Sequence, residues 1–392
     1  MVRGIEALDR KLLRDFARLW AQFLAIALVL AGGVAVLLMS FGMSRALEET
    51  RDTYYERNRF ADVFVDARSV PQSMLQILRE IDGVTALEAR VTSHATLDIP
   101  GKIDATVAYV ASLPTGEPLL NLPLLRMGSW PDPAAIDEVM LNAPFGEANG
   151  LYPGDEISAV LNGTKRRLTV TGWALSPEFI YTIGPGSLVP DNENYGILWM
   201  PERALAALLD RTGAFDNLTL KLRPDARPEP VIDALDRLLE PYGAWGAIDR
   251  SEQVSNAFID GEITQLRTLA YILPPLFLGI TVFLVNMVIG RIVFLERAEI
   301  GLLKALGYSN GAILFHYLLL AGLVASVGVV IGFAAGSWLS YGLARLYARF
   351  FEFPYLIYNI SWNTYLVAGL LGIAAATVGA ARAAWRAARL AP

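Results

Sequence analysis

The sequence contains no cysteine. Disulfides and thiolate metal sites are therefore excluded both as supports for the fold and as chemistry. Histidine occurs only twice in 392 residues, as His94 and His316. His94 falls in a strand-like segment and His316 at the start of a long apolar run, so a Ser-His-Asp or Cys-His set has almost nothing to be built from. Asp, Glu, Lys and Arg are all missing from Trp20–Met43, Leu269–Gly290, Ala305–Ala344 and Phe353–Ala381. Without a carboxylate in those runs His316 has no proton-relay partner, which argues against a proton-coupled pump. No G-x-x-x-x-G-K-[ST] pattern occurs, so ATP is not bound by that loop. Asp137-Glu138 and Asp155-Glu156 read as solvated turn charges rather than convergent metal ligands. Catalytic, cofactor-binding and metal residues are all expected to be absent from this chain.

What is present is apolar: 54% of residues are hydrophobic and the mean hydropathy is +0.40, values that suit a membrane protein with a sizeable water-soluble part. The net charge of −6 is unevenly spread. Residues 44–268 hold 20 Lys+Arg against 33 Asp+Glu, and the flanks hold 13 against 6. An acidic middle between basic ends excludes a nucleic-acid surface, which needs a basic patch.

A bilayer span needs roughly 20 apolar residues. Spans are expected at 20–43, 269–290, 312–344 and 364–381, the first too long for a signal-peptide core and so read as an uncleaved anchor. Short basic segments mark the cytoplasmic side: Arg3, Arg10, Lys11, Arg14 and Arg18 before the first span, Arg291, Arg297 and Lys304 between the second and third, and Arg382, Arg386 and Arg389 at the end. Both termini and residues 291–311 are then cytoplasmic, and the acidic 44–268 insert is extracytoplasmic. Ile5, Leu8, Leu12, Phe16 and Leu19 recur at helical spacing, so 1–19 is read as an amphipathic helix on the inner leaflet. Residues 345–363 form an outer loop crowded with Tyr347, Phe350, Phe351, Phe353, Tyr355, Tyr358 and Trp362, read as an interfacial aromatic belt, and 382–392 form a cytoplasmic tail. Gly328, Gly332, Gly336 and Ser340 repeat every fourth residue in the third span, a small-residue stripe suited to helix packing within the bundle or to a dimer seam.

The insert reads as an α+β domain. Asp62–Val65 and Val91–Ile99 have strand patterns, Asn162-Gly163 suits a tight hairpin turn, and Leu168 and Val170 point inward on the return strand. Helical patterns cover Gln72–Ile81, Glu202–Leu209 and Val231–Leu239, and residues 44–58 and 251–269 look like helical stalks. Ser176–Met200, rich in Pro, Gly and aromatics, is expected to be a long ordered loop on its own domain, with an apolar partner surface as the other reading. Asn162, Asn217 and Asn359 each begin a three-residue glycosylation pattern.

The segment "ERAEIGLLKALGYSNGAIL" (Glu296–Leu314) puts four charges in nine residues between two spans. Leu295, Leu302 and Leu306 share one helical face and Arg297, Gly301 and Lys304 another. Gly307 suits a C-cap and Ser309 the next N-cap. A short surface helix is expected, either simply joining two spans or presented to a partner.

These residues resemble the FtsX-like/MacB-like permease family of ABC transporters. The E-x-G-x-L-K-A-L-G motif of that family is matched by Glu299, Gly301, Leu303, Lys304, Ala305, Leu306 and Gly307, and the order of one span, large insert and three spans matches too. The C-terminal "RAAWRAARLAP" is similar to the family's basic exit from the last span. The resemblance implies a multi-pass protein of a bacterial inner membrane, with four transmembrane α-helices and a MacB-like periplasmic core domain between the first and second. It implies a non-catalytic permease subunit docked through Glu296, Arg297, Glu299, Gly301, Lys304 and Gly307 on a separate cytoplasmic ABC ATPase, which holds the ATP and Mg. Glu299 and Lys304 would face the ATPase and the leucines the bundle. ATPase dimerisation would move the external domain (mechanotransmission) to export or extract a lipid, lipoprotein, peptide or other amphiphile. Membrane lipids, an external substrate or partner protein, and a second permease subunit or the second half of the same chain complete the implied partners. "ALDRKLLRDFARLWAQ" and Ala46–Arg57 resemble larger members, so the chain is expected to be the first half of a longer protein. Two departures stand: many members carry an acid early in the third span where this chain has "HYLLLAG", and many continue past the position of Pro392. Competing functions are an ATPase-driven regulator of an external enzyme such as a cell-wall hydrolase, and a membrane-anchored sensor or receptor, which would need a cytoplasmic signalling domain.

Overall fold

The computed structural model describes residues 14, 16–99, 101–102, 106–187 and 189–389. The amphipathic segment drawn through Ile5, Leu8 and Leu12 and the last three residues lie outside the described residues. The chain divides into a helical unit (up to Glu48, Ile263–Tyr347 and from Leu356 on) and an α+β unit (Glu49–Glu262 with Ala348–Tyr355).

Among the described residues four helices are long and apolar enough to cross a membrane: α1 (Trp20–Arg57), α6 (Val254–Leu295), α8 (Asn310–Phe350) and α9 (Trp362–Ala388). A nine-residue helix, α7 (Arg297–Ala305), joins α6 to α8. The core of the helical unit is built from Phe23, Leu30 and Leu38 of α1, Val285 and Ile289 of α6, Tyr317, Leu320 and Val324 of α8, and alanines of α9. Lipid tails are as apolar as these side chains, so close packing rather than water exclusion drives the assembly. Small residues are therefore at the contacts: Gly379 of α9 sits against the backbone of Val282 in α6, and Gly372 against Val329 and Val34.

Helices α1 and α6 do not stop where their apolar runs stop. Beyond Met43, α1 continues through buried Tyr54 and Tyr55 to Arg57, and α6 begins at Val254, fifteen residues before the apolar run. Arg267 pairs with Glu48, and Arg51 pairs with both Asp52 and Asp260. Pairs of this exposure contribute only about 0–1 kcal/mol each, so the buried tyrosines do more to keep the α1 extension helical.

The α+β unit has two sheets. The smaller orders its strands β11-β1-β10-β2 (Ala247–Asp249, Val63–Pro71, Ala214–Leu222, Val84–Arg90), all antiparallel. Helices α2 (Met74–Arg79) and α5 (Pro228–Leu239) cover it with Leu78, Val231, Leu235 and Leu239. The larger orders its strands β5-β8-β6-β9-β4-β3-β7 (Leu124–Gly128, Thr164–Leu175, Glu138–Asn142, Tyr195–Pro201, Thr106–Leu113, Thr92–Asp98, Glu156–Leu161). Pairing of β7 with β8 closes six of these strands into a ring. The closing hairpin is local chemistry: Asn162 and Gly163 have φ of 47° and 72°, a turn with both central residues left-handed, and Leu161 faces Thr164 across it. Ile157, Ala159, Leu161, Leu168 and Val170 then fill the ring's interior beside Leu97, Val110, Leu141 and Leu198. Helices α3 (Ala143–Asn149) and α4 (Glu202–Leu208) complete this part. Asn217 of the second glycosylation pattern lies buried in β10, so that site is closed in the folded chain.

Between the two sheets the chain passes from β2 to β3 through Arg90 and Val91. Arg90 donates to both carboxylate oxygens of Glu178, at 2.6 and 2.9 Å, and to Asn217 Oδ1 at 2.9 and 2.7 Å. Asn121 donates to Glu178 at 3.0 Å, and Asn217 passes the network on to Asp66 at 2.6 Å. Burial works against the Arg90 charge, but the Glu178 carboxylate outweighs it and holds the guanidinium above its usual range.

Candidate functional site

The motif segment folds as α7, and three of its residues face inward. Glu296, 3% exposed, ends α6; Arg18 donates to it at 2.7 Å and the Tyr317 hydroxyl at 3.1 Å. Ile300 is buried one turn on. Lys304 Nζ, a further turn on, donates at 2.8 Å to the carbonyl of Ala388 in the last turn of α9, where a cation complements a helix C-terminus. Positions 296, 300 and 304 thus form an anchor stripe at i, i+4 and i+8.

This corrects the face assignment made from the sequence. Leu302 and Leu306 are 63% and 70% exposed, and Leu295 is also exposed. The leucines point away from the bundle, together with Arg297 and Glu299, while Lys304 points inward and Gly301 is half-buried. The resemblance put the leucines inward, whereas the face is decided by the partners of Glu296 and Lys304, which come from α8, α9 and Arg18, remote in sequence. Arg297 lies over the Phe294 ring at 5.0 Å. Gly307, with φ of 96°, ends α7: its N–H donates to Lys304 O and that of Tyr308 to Leu303 O. Ser309 Oγ accepts from Ala312 N at 3.2 Å and caps α8. The linker is therefore stopped sharply at both ends, pinned on one face and open on the other.

The stripe Gly328, Gly332, Gly336 and Ser340 lies against α1 of the same chain. A Cβ on Gly328 would sit 2.7 Å from Ala27 O, one on Gly332 2.7 Å from Val34 Cβ, and one on Gly336 2.9 Å from Ala35 Cα. Ser340 is buried opposite Gly42. Of the two readings of this stripe, the contacts are those of packing within the bundle. His316 is buried with its ring edge-on to Tyr317 at 5.2 Å, and His94 is exposed on β3.

Two segments depart from their sequence reading. Ser176–Met200 is not one loop: Pro177–Phe179 is a single 3₁₀ turn that buries Glu178 against Arg90, and Tyr195–Met200 belongs to β9 inside the larger sheet. The aromatic loop is not a belt along Ala348–Tyr355, which groups with the α+β unit. Phe351 and Phe353 are buried. Tyr181 meets Phe350 and Phe351 at 5.5 and 5.4 Å, and Tyr54 meets Phe353 and Tyr355 at 6.3 and 6.2 Å. Aromatic rings satisfy a headgroup layer and a protein core equally well by composition; only tertiary packing separates the two.

Residues 271–392, which carry α7 and its anchors, match the family described as FtsX-like permease C-terminal. No curated protein matches the chain. Among solved structures, the chain is similar to the periplasmic region of MacB from Actinobacillus actinomycetemcomitans at 12% identity and a TM-score of 0.34, over 54% of this chain and 95% of that one. It is also similar to the extracellular domain of the noncanonic ABC-type transporter YknZ from Gram-positive bacteria, at 13% identity and a TM-score of 0.33, over 47% and 97%. The match over residues 271–392 supports an FtsX-like permease, the kind of membrane subunit found in ABC transporters, and that family implies an ATPase partner.

Proposed function

We propose that this chain couples a separate ABC ATPase on the cytoplasmic side to movement of the α+β unit outside, for export or extraction of a lipid, lipoprotein, peptide or other amphiphile. The observation that carries the reading is the two-sided character of α7. One face is fixed to the helical unit through Glu296, Ile300 and Lys304, and the other presents Leu302 and Leu306 beside Arg297 and Glu299. An exposed apolar pair rimmed by charges is what a protein partner buries as an anchor. ATPase and Mg chemistry then belong to the partner, and this chain receives force rather than making bonds.

Replacing both Leu302 and Leu306 by aspartate is expected to weaken capture of the ATPase subunit about 100-fold or more, since each buried anchor contributes roughly 2 kcal/mol. The helical unit should stay folded, because neither side chain packs in its core. Titration of the detergent-solubilised chain with the purified ATPase measures this, and an unchanged Kd would refute α7 as the docking helix. Orientation has its own test, helped by the absence of native cysteine. Single cysteines at Ser309 and Asn162, both exposed, are expected to react with an impermeant maleimide from opposite sides of sealed vesicles. Labelling from the same side would reject the arrangement.

A further inference from the structure

The segment after α8 keeps an acid where a charge is poorly accommodated. Glu352 is 9% exposed and has a φ of 51°, a left-handed conformation that a residue with a Cβ adopts only when its surroundings hold it there. Asn192 Nδ2 donates to Oε1 at 3.0 Å, and Oε2 has no partner among the described residues. The Tyr54 hydroxyl on α1, the Tyr355 hydroxyl and Asn192 Oδ1 are likewise buried without a hydrogen-bond partner. The neighbouring cations serve other groups. Arg126 of β5 reaches the Pro354 carbonyl at 3.5 Å, and Arg57 of α1 lies over the Tyr355 ring at 5.6 Å. Among the described residues none forms an ion pair with Glu352. A carboxylate here would be met by one neutral amide, which does not offset the loss of water. A carboxylic acid fits better, because it carries no charge to bury and its O–H is a donor beside Asn192, whose Oδ1 lacks one among the described residues. On either side Phe351 and Phe353 plug the same segment into the α+β unit against Tyr181 and Tyr54.

We propose that Glu352 is a proton-operated clasp: as the neutral acid it holds Ala348–Tyr355 in the α+β unit, and loss of its proton to solvent favours release of that segment. Burial pushes the Glu352 carboxyl up to about 8, with the Asn192 hydrogen bond opposing the shift. In the released segment the side chain regains water and its ordinary value near 4.3. Release is therefore accompanied by proton loss wherever the pH lies between those two values. Docking is strongest below the ordinary value, weakens about tenfold per pH unit above it, and levels off once the docked acid itself ionises near 8. Tyr54 does not titrate in this window, because burial raises it well above its usual range. The aromatic plugs set how far the equilibrium favours docking, and the proton sets how that preference changes with pH.

Amide hydrogen exchange at 348–355, measured on the full chain in detergent micelles from about pH 5 to pH 9 and corrected for intrinsic exchange, tests the clasp. The opening constant is expected to rise about tenfold per unit to a plateau near pH 8 in the wild type and to be flat in Glu352→Gln. A flat wild-type profile, or the same slope in the glutamine variant, overturns the proposal. Should Glu352→Gln not fold, Asn192→Ala provides an independent arm. Removing the one donor to the carboxylate raises the docked value further, so the plateau must move to higher pH, and an unmoved plateau overturns the proposal too.

Discussion

Arg90→Ala is expected to destabilise the α+β unit by about 3–5 kcal/mol, the cost of leaving a buried carboxylate without its cation. The residue joins the two sheets. Its guanidinium is bidentate on Glu178, doubly bonded to Asn217 and buried from water. Removing it leaves the Glu178 carboxylate with Asn121 as its side-chain donor among the described residues. Denaturant unfolding of the full chain, followed by the fluorescence of Trp173 and Trp199 in β8 and β9, reads the effect. The double change Arg90→Met with Glu178→Leu is expected to recover most of the loss, because replacing both partners of a buried pair with apolar groups is often neutral. A loss below about 1 kcal/mol in Arg90→Ala would mean that solvent reaches Glu178 readily and that the joint is not sealed. The contribution should not vary with pH in the neutral range. The Arg90 value is raised, so the stability it gives is fully present below the ordinary arginine value.

The joint also shows where sequence reading stops. Four apolar helices, the insert between the first and second, the Asn162-Gly163 hairpin and the Gly307 stop are each set by residues adjacent in sequence, so period, length and turn chemistry found them. Arg90 and Glu178 are 88 positions apart, and neither has a local pattern that distinguishes it from a surface charge. Strand β9 was hidden inside a Pro- and Gly-rich stretch, because its hydrophobic run Ile197–Met200 is short and both faces are buried. The candidate site divides along the same line. Its position and ends were legible from charge and capping, but which face turns inward was not, since Arg18, Tyr317 and the Ala388 carbonyl decide it from outside the segment. Glu352 was invisible for the complementary reason. An acid among aromatics after a span looks solvated until its neighbours are known.

Gly332→Leu is expected to prevent α8 from seating on α1. The new side chain would begin 2.7 Å from Val34 Cβ and 3.0 Å from Ala31 O. Overpacking a tight core costs about 1–3 kcal/mol when side chains alone must yield, and here a backbone carbonyl stands in the way, so the cost lies at or above the top of that range. Gly342→Leu on the same helix is the control: its site is exposed, with nothing within 4 Å of the added carbon, and helix propensity alone favours leucine by up to about 1 kcal/mol. The two substitutions therefore differ in sign, and thermal unfolding in detergent separates them. The comparison also decides between packing and pairing at the stripe. If Gly328, Gly332 and Gly336 served a seam between copies, Gly332→Leu would shift the oligomeric state and leave the single chain's unfolding temperature near that of Gly342→Leu. If they serve α1, the unfolding temperature falls whatever the oligomeric state, because the clash is with the chain's own Ala31 and Val34.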